Sequence, residues 1–196
     1  TKDQNVAILP SLEVDSFKQL DIHSKIISWH DKNGFNQAFK EASEILGDIK
    51  NIGVEGQRIR FFETQAFKDN FKEIEIINFH KEISSIRLNK EQDEINILLE
   101  AIKISEKSLD STLNYIKLGM SELQVKQFLI QELYKNGAEG LSFDPIVLTG
   151  QNSALPHGHS SNQNMIKQGD TLLFDFGATI KSYKADITRT FFMIES

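Results

Sequence analysis

Asp175 and Asp186 are the residues of this chain whose type and spacing point most directly to chemistry. They lie in residues 171–193, TLLFDFGATIKSYKADITRTFFM. Two apolar runs flank a polar centre that contains glycine, which predicts a β-hairpin. The two aspartates are centred on position 180.5, inside the expected loop. In a symmetric hairpin without a bulge they oppose each other directly, with Cβ atoms about 4.5–5.5 Å apart. Phe174, Phe176, Ala185 and Ile187 then share the other face, which is apolar and fits a core. Carboxylates opposed beside a core repel unless one is protonated or a cation sits between them. A divalent metal held by oxygen ligands is the obvious cation. Spacing alone leaves two other readings open. The aspartates also fit a solvent-facing hairpin, and Lys184 and Arg189 could neutralise them.

A second cluster is GQNSALPHGH, residues 150–159. It follows an apolar strand-like run and is rich in turn formers, so it reads as a loop at a strand end, where sites often lie. It carries His157 and His159. Pro156 narrows the backbone just before His157. Spacing assigns neither histidine a role, and a lone loop histidine is ordinarily just exposed. Other motif readings fail. Asp175-Phe176-Gly177 spells the metal tripeptide of kinases, but the glycine-rich phosphate loop and the catalytic-loop motif are absent. There is no G-x-S-x-G elbow and no H-E-x-x-H helix. With no cysteine, a thiol nucleophile, a disulfide framework and a zinc–thiolate site are all excluded.

The elements that must hold these residues are legible in outline. Residues 6–9 form a short apolar, strand-like run before Pro10. Residues 35–46 carry apolar side chains at helical spacing and end at Gly47, a C-cap candidate. Residues 51–55 read as a strand. Residues 58–71 read as a helix with Phe61, Phe62 and Phe67 inward, and residues 73–79 as a strand. This alternation is an α/β signature. From Glu91 a long amphipathic helix is expected, with Gly119 suited to its end. Ser121 and Gln124 have capping-box spacing for a second helix that ends at Gly137. Residues 146–149, 171–176 and 187–193 read as strands. Helices segregated from a mainly antiparallel sheet predict an α+β second half. The expected domains are 1–85 and 86–196.

Net charge is 22 − 28 = −6, with cations scattered among acids, so nothing draws the chain to nucleic acid or to an anionic membrane. No apolar run is long enough to span a bilayer. The polar first residues do not resemble a signal peptide, and the absence of cysteine fits a reducing cytoplasm.

Three segments together carry a family resemblance: SFDPIVLTGQNSALPHG, IKQGDTLLFDFGA and YKADITRTFF. Residues 141–192 closely resemble the Xaa-Pro peptidases, aminopeptidase P and proline dipeptidase, relatives of methionine aminopeptidase and creatinase. IRLNKEQDEI at 86–95 and the turn Gly119–Met120–Ser121–Glu122 are similar to the start of that family's catalytic domain. The preceding α/β region resembles part of its N-terminal domain. The resemblance implies an α/β N-terminal domain followed by the first half of an α+β pita-bread catalytic domain. It implies two divalent metal ions, manganese first, with cobalt or zinc also suitable. Asp175 matches the aspartate that chelates one ion and Asp186 the aspartate that bridges both. His157 matches the histidine beside the scissile bond. The remaining ligands, one histidine and two glutamates, are expected beyond Ser196, so residues 1–196 alone are expected to be inactive. The implied substrate is a peptide with proline at the second position, and the implied assembly is a cytoplasmic homodimer.

Two alternatives are carried. One is a different enzyme of the same fold. The large N-terminal region argues against a methionine aminopeptidase. The intact Asp175 and Asp186 argue against a creatinase, which needs no metal. The other is a non-catalytic binding or scaffold protein that has kept the fold.

Overall fold

The first helix-forming and strand-forming runs alternate because each apolar stripe can be buried only against the next element. A computed structural model describes residues 4–194. The chain divides into two compact units between Asn89 and Lys90.

In the first unit the order is β1 (Val6–Pro10), α1 (Val14–Lys18), β2 (Lys25–Trp29), α2 (Asn36–Leu46), β3 (Asn51–Val54), α3 (Phe61–Asn70), β4 (Glu75–Asn78) and α4 (His80–Leu88). β1 pairs with β2 in parallel, and β3 with β4 in parallel. Parallel neighbours need a crossover, which α1 and α3 supply. Ile27, Ala38 and Ala42 are buried, with Val6, Ile8, Trp29 and Ile45 packed on them. Edge-on ring contacts run from Trp29 to Phe35 and on to Phe39, and Phe39 meets Phe67. Gly47 closes α2 at φ 72°. Phe61, expected to face inward, is instead 84% exposed. It is the first residue of α3, and the helix turns Phe62 rather than Phe61 onto Phe35. The sequence reading also passed over β2 and α4. α4 begins where the Asn78 side chain accepts from His80 N, and Arg87 near its end grips Glu55 through both guanidinium nitrogens. Position 85, the expected boundary, falls inside this helix.

The second unit runs α5 (Gln92–Tyr115), α6 (Glu122–Lys135), β5 (Gly140–Leu141), β6 (Ile146–Thr149), β7 (Thr171–Phe176), β8 (Ala178–Ile180), β9 (Tyr183–Lys184) and β10 (Ile187–Phe192). α5 stops at Tyr115, earlier than Gly119. Gly119 instead sits in the following turn at φ 85°. The expected capping box of α6 is present: Ser121 Oγ accepts from Gln124 N, and Gln124 Oε1 accepts from Ser121 N. One sheet has the order β10–β7–β6 and the other β5–β8–β9, all antiparallel. Leu172, Phe174 and Phe176 of β7 are fully buried and meet Val125, Leu129 and Leu133 of α6 and Leu109 of α5 in one core. Two polar ties fasten α5 to the second sheet. Ser105 Oγ accepts from Ala178 N at 2.9 Å, and Tyr183 donates to Glu94 at 2.6 Å. That phenol, with the Glu91 backbone N–H, holds the Glu94 carboxyl below the usual carboxylate range.

The chain passes from the first sheet to the second at Gly177 and returns after Ala185. A Cβ added at Gly177 would overlap the Ala185 carbonyl oxygen, because the two backbones touch at this bend. Gly177→Ala is therefore expected to cost at least about 3 kcal/mol, the upper part of the overpacking range. Urea unfolding of the full protein checks this, and an unchanged midpoint would show that the bend relaxes freely.

Candidate active site

The site is built outward from β7. Its side chains alternate, so Phe174 and Phe176 enter the core and Asp175 between them points away from it. On the return, between β9 and β10, Ala185 is buried and Asp186 is exposed, and Ile187, the first residue of β10, is buried again. Both aspartates therefore stand on the side of the hairpin away from the core. They are not directly opposed, as the symmetric-hairpin reading required. β7 and β10 pair Asp175 with Thr188 and Phe176 with Ile187, and the same register continues through Thr179 with Lys184. The turn is the two-residue Lys181–Ser182, both at positive φ (45° and 68°). It centres the hairpin one position later than 180.5. Carried across the gap between β9 and β10, that register sets Asp186 diagonal to Asp175, two positions from Thr188. Thr188 Oγ1 donates to Asp175 Oδ1 at 2.8 Å.

On the other side of β7, Ile146 of β6 pairs with Asp175. The row Ile146–Asp175–Thr188 thus crosses all three strands on one face. Ile146 also lines a cleft of about 480 Å³ with Lys126, Phe143, Pro145, His157 and His159. Both histidines are exposed, His157 in a turn closed by Gly158 N donating to the Leu155 carbonyl. Lys126, with only 14% of its side chain exposed, pairs with Asp144 at 2.7 Å. A larger opening of about 630 Å³ lies at the far end of β6, lined by Thr149, Gln151, Asn164, Lys167 and Asp170. It contains none of the expected site residues. Among the described residues no group of three or more histidine, aspartate and glutamate side chains is gathered closely enough to hold a metal ion.

Sequence reasoning missed Glu122. It is fully buried, and its carboxylate is met by hydrogen-bond donors on both oxygens. Oε1 accepts from Thr149 N at 2.7 Å and from Asn152 Nδ2 at 2.9 Å. Oε2 accepts from Ser161 N at 3.0 Å, Asn164 Nδ2 at 3.0 Å and Asn152 Nδ2 at 3.1 Å. As the first residue of α6 it reads in sequence as an acid favoured by the helix dipole. The one available hint was the run of asparagines and serines in residues 151–164, a supply of donors. Thr188 was missed because its role depends on register.

Set beside known proteins, residues 96–196 match the model of metallopeptidase family M24. The Xaa-Pro dipeptidase of Pyrococcus furiosus is 34% identical over 152 residues, covering 78% of this chain and 43% of that protein. Among solved structures, an X-Pro aminopeptidase from Thermotoga maritima superposes with a TM-score of 0.81 at 32% identity, covering 97% of this chain and 53% of the other. An Xaa-Pro dipeptidase from Bacillus anthracis gives a TM-score of 0.83 at 31% identity, covering 98% and 52%. The chain belongs to metallopeptidase family M24. Its fold is an α/β unit followed by part of a pita-bread catalytic domain. The chain spans about half the length of the curated relatives it matches.

If Glu122 closes the loop as its bonds indicate, the amides of Thr149 and Ser161 should exchange hydrogen as slowly as those of β7. The amide of His157, in the exposed part of the loop, should exchange quickly. Native-state hydrogen exchange reads both, and fast exchange at Thr149 and Ser161 would contradict the closed arrangement.

Proposed function

We propose that this chain serves a metal-dependent hydrolysis of the peptide bond that precedes proline, in dipeptides or in peptides with proline second. One observation carries the reading. In a member of family M24, Asp175 and Asp186 stand on the same side of one hairpin, and Asp175 is paired with Ile146, a wall of the cleft that holds His157.

The residues fit divalent ions as far as they go. Two carboxylates offer hard oxygen donors, which manganese, cobalt and zinc all accept. Thr188 steadies Asp175 through Oδ1, the kind of hydrogen bond that orients ligating carboxylates. Asp175 and Asp186 would be the residues of this chain that hold the ions. Bound metal of this kind supplies a nucleophilic water at neutral pH and polarises the scissile carbonyl. His157, exposed at the cleft, is placed to exchange a proton or a hydrogen bond with the peptide at that bond. The bond before proline carries no N–H. Recognition must therefore rest on the ring and the free N-terminus. A homodimer and a cytoplasmic location belong to the same proposal, and the lack of cysteine supports the second. No helix among the described residues is long and apolar enough to cross a membrane.

The test uses the natural full-length protein, with bound metal and hydrolysis of an Xaa-Pro dipeptide and of a longer Xaa-Pro peptide measured together. Asp186→Ala is expected to empty the site and abolish turnover while the melting transition persists. A variant that keeps its metal and most of its turnover would remove Asp186 from the ligand set. His157→Ala is expected to keep its metal and lose about 10²–10⁴-fold in kcat. Loss of metal would make His157 a ligand, and an unchanged rate a bystander. A folded wild-type protein with neither metal nor hydrolysis would favour the scaffold reading.

A further inference from the structure

Residues 150–160 form a loop that leaves β6 and comes back beside it, with His157 near its middle. Such a loop is only as well placed as its neck. Ser160 Oγ closes one side of that neck, accepting from Val147 N at 3.1 Å and donating to Val147 O at 2.9 Å. Glu122 closes the other. Its Oε1 takes Thr149 N and Asn152 Nδ2 on the outgoing side, and its Oε2 takes Ser161 N and Asn164 Nδ2 on the returning side. One buried carboxylate therefore spans both ends of the loop from the first residue of a helix whose Val125, Leu129 and Leu133 are fully buried.

We infer that Glu122 is a positioning residue that sets the place of His157 in the cleft by clamping both ends of its loop. The inference rests on the role proposed for His157. Only a carboxylate offers acceptors on both oxygens. Glutamine has the same shape, but its amide NH₂ would face donors on one side or the other. The clamp then opens on that side without any change in volume. A buried donor left without an acceptor does not stay where it was.

The test is a double-mutant cycle in the full-length protein, with Glu122→Gln and His157→Ala singly and together. Metal content and melting temperature are recorded for each. If Glu122 acts through His157, Glu122→Gln lowers kcat by about 10–100-fold in the wild-type background, as misplacement of a catalytic group does. In the His157→Ala background the same change should lower kcat less than about 2-fold, since coupled residues are not additive. Metal content should hold in all four proteins. An equal loss in both backgrounds overturns the inference, because it marks a general loss of active fold. If His157→Ala alone leaves turnover unchanged, the proposed site fails first and the inference falls with it. Should Glu122→Gln not fold, Asn152→Ala weakens the outgoing side, where Thr149 N remains, and keeps the carboxylate with its other donors. The same cycle with Asn152→Ala must then show the same non-additivity, and additive losses there also overturn the inference.

Discussion

The alternation along β7 is the constraint from which the rest of the second unit follows. Leu172, Phe174 and Phe176 must be buried together, and burying three large side chains removes several kcal/mol worth of apolar surface from water. A strand that does this turns every intervening residue to the other face. Asp175 is one of these, and its place on that face, half-buried, is a consequence of where its neighbours must go. α5 and α6 cover the apolar side, so the polar side is the one left for chemistry. The pairing of Ile146 and Thr188 with Asp175 then fixes which residues can stand next to it.

A polar knot complements the apolar core. Glu122 is as buried as Phe174, but a buried carboxylate is tolerated only when its oxygens are satisfied. Its donors come from the end of β6, the loop after it and the segment around Asn164. Beyond the last residue of β6 and a short 3-10 turn at Gly150–Ala154, these segments have no regular structure to place them. The carboxylate gives them a common fixed point, where an apolar residue would give them none. Apolar packing tolerates sliding, whereas hydrogen bonds to one group do not.

Much of the second unit was legible because its signals are periodic. The capping box at Ser121 and the hairpin strands both follow from spacing. The first unit was read less completely. β2 (KIISW) mixes polar and apolar residues over five positions, and α4 (HKEISSIRL) buries no residue fully, so neither carries a strong period. Phe61 shows the limit of composition. A phenylalanine at the first turn of a helix has no obligation to face the core, and this one does not. The role given to His157 rests on the family resemblance and not on spacing. His157 is an exposed turn residue in the same cleft as His159, and spacing assigns neither of them a role. Glu122 was illegible for a plainer reason. Its burial depends on donors 27 to 42 positions away.

The hairpin register shows how a small local choice decides the electrostatics of the site. The favoured two-residue hairpin turn needs positive φ at both central positions, which Asn-Gly supplies most readily. Here Lys181 and Ser182 occupy it, so the sequence carries no sign of where the chain reverses. A turn centred one position earlier would have set Asp175 directly against Asp186. With the turn where it is, Thr188 takes the place opposite Asp175 and gives it a hydrogen bond instead of a repulsion. The aspartates keep the same face but are drawn apart along the diagonal. Two carboxylates so placed repel less strongly when nothing lies between them, since the Coulomb term falls with distance. They nonetheless remain within one hairpin whose bend at Gly177 admits no side chain, so their separation is set by the backbone rather than by the side chains. The hairpin thus fixes the spacing of its two acids before any third group is added to them.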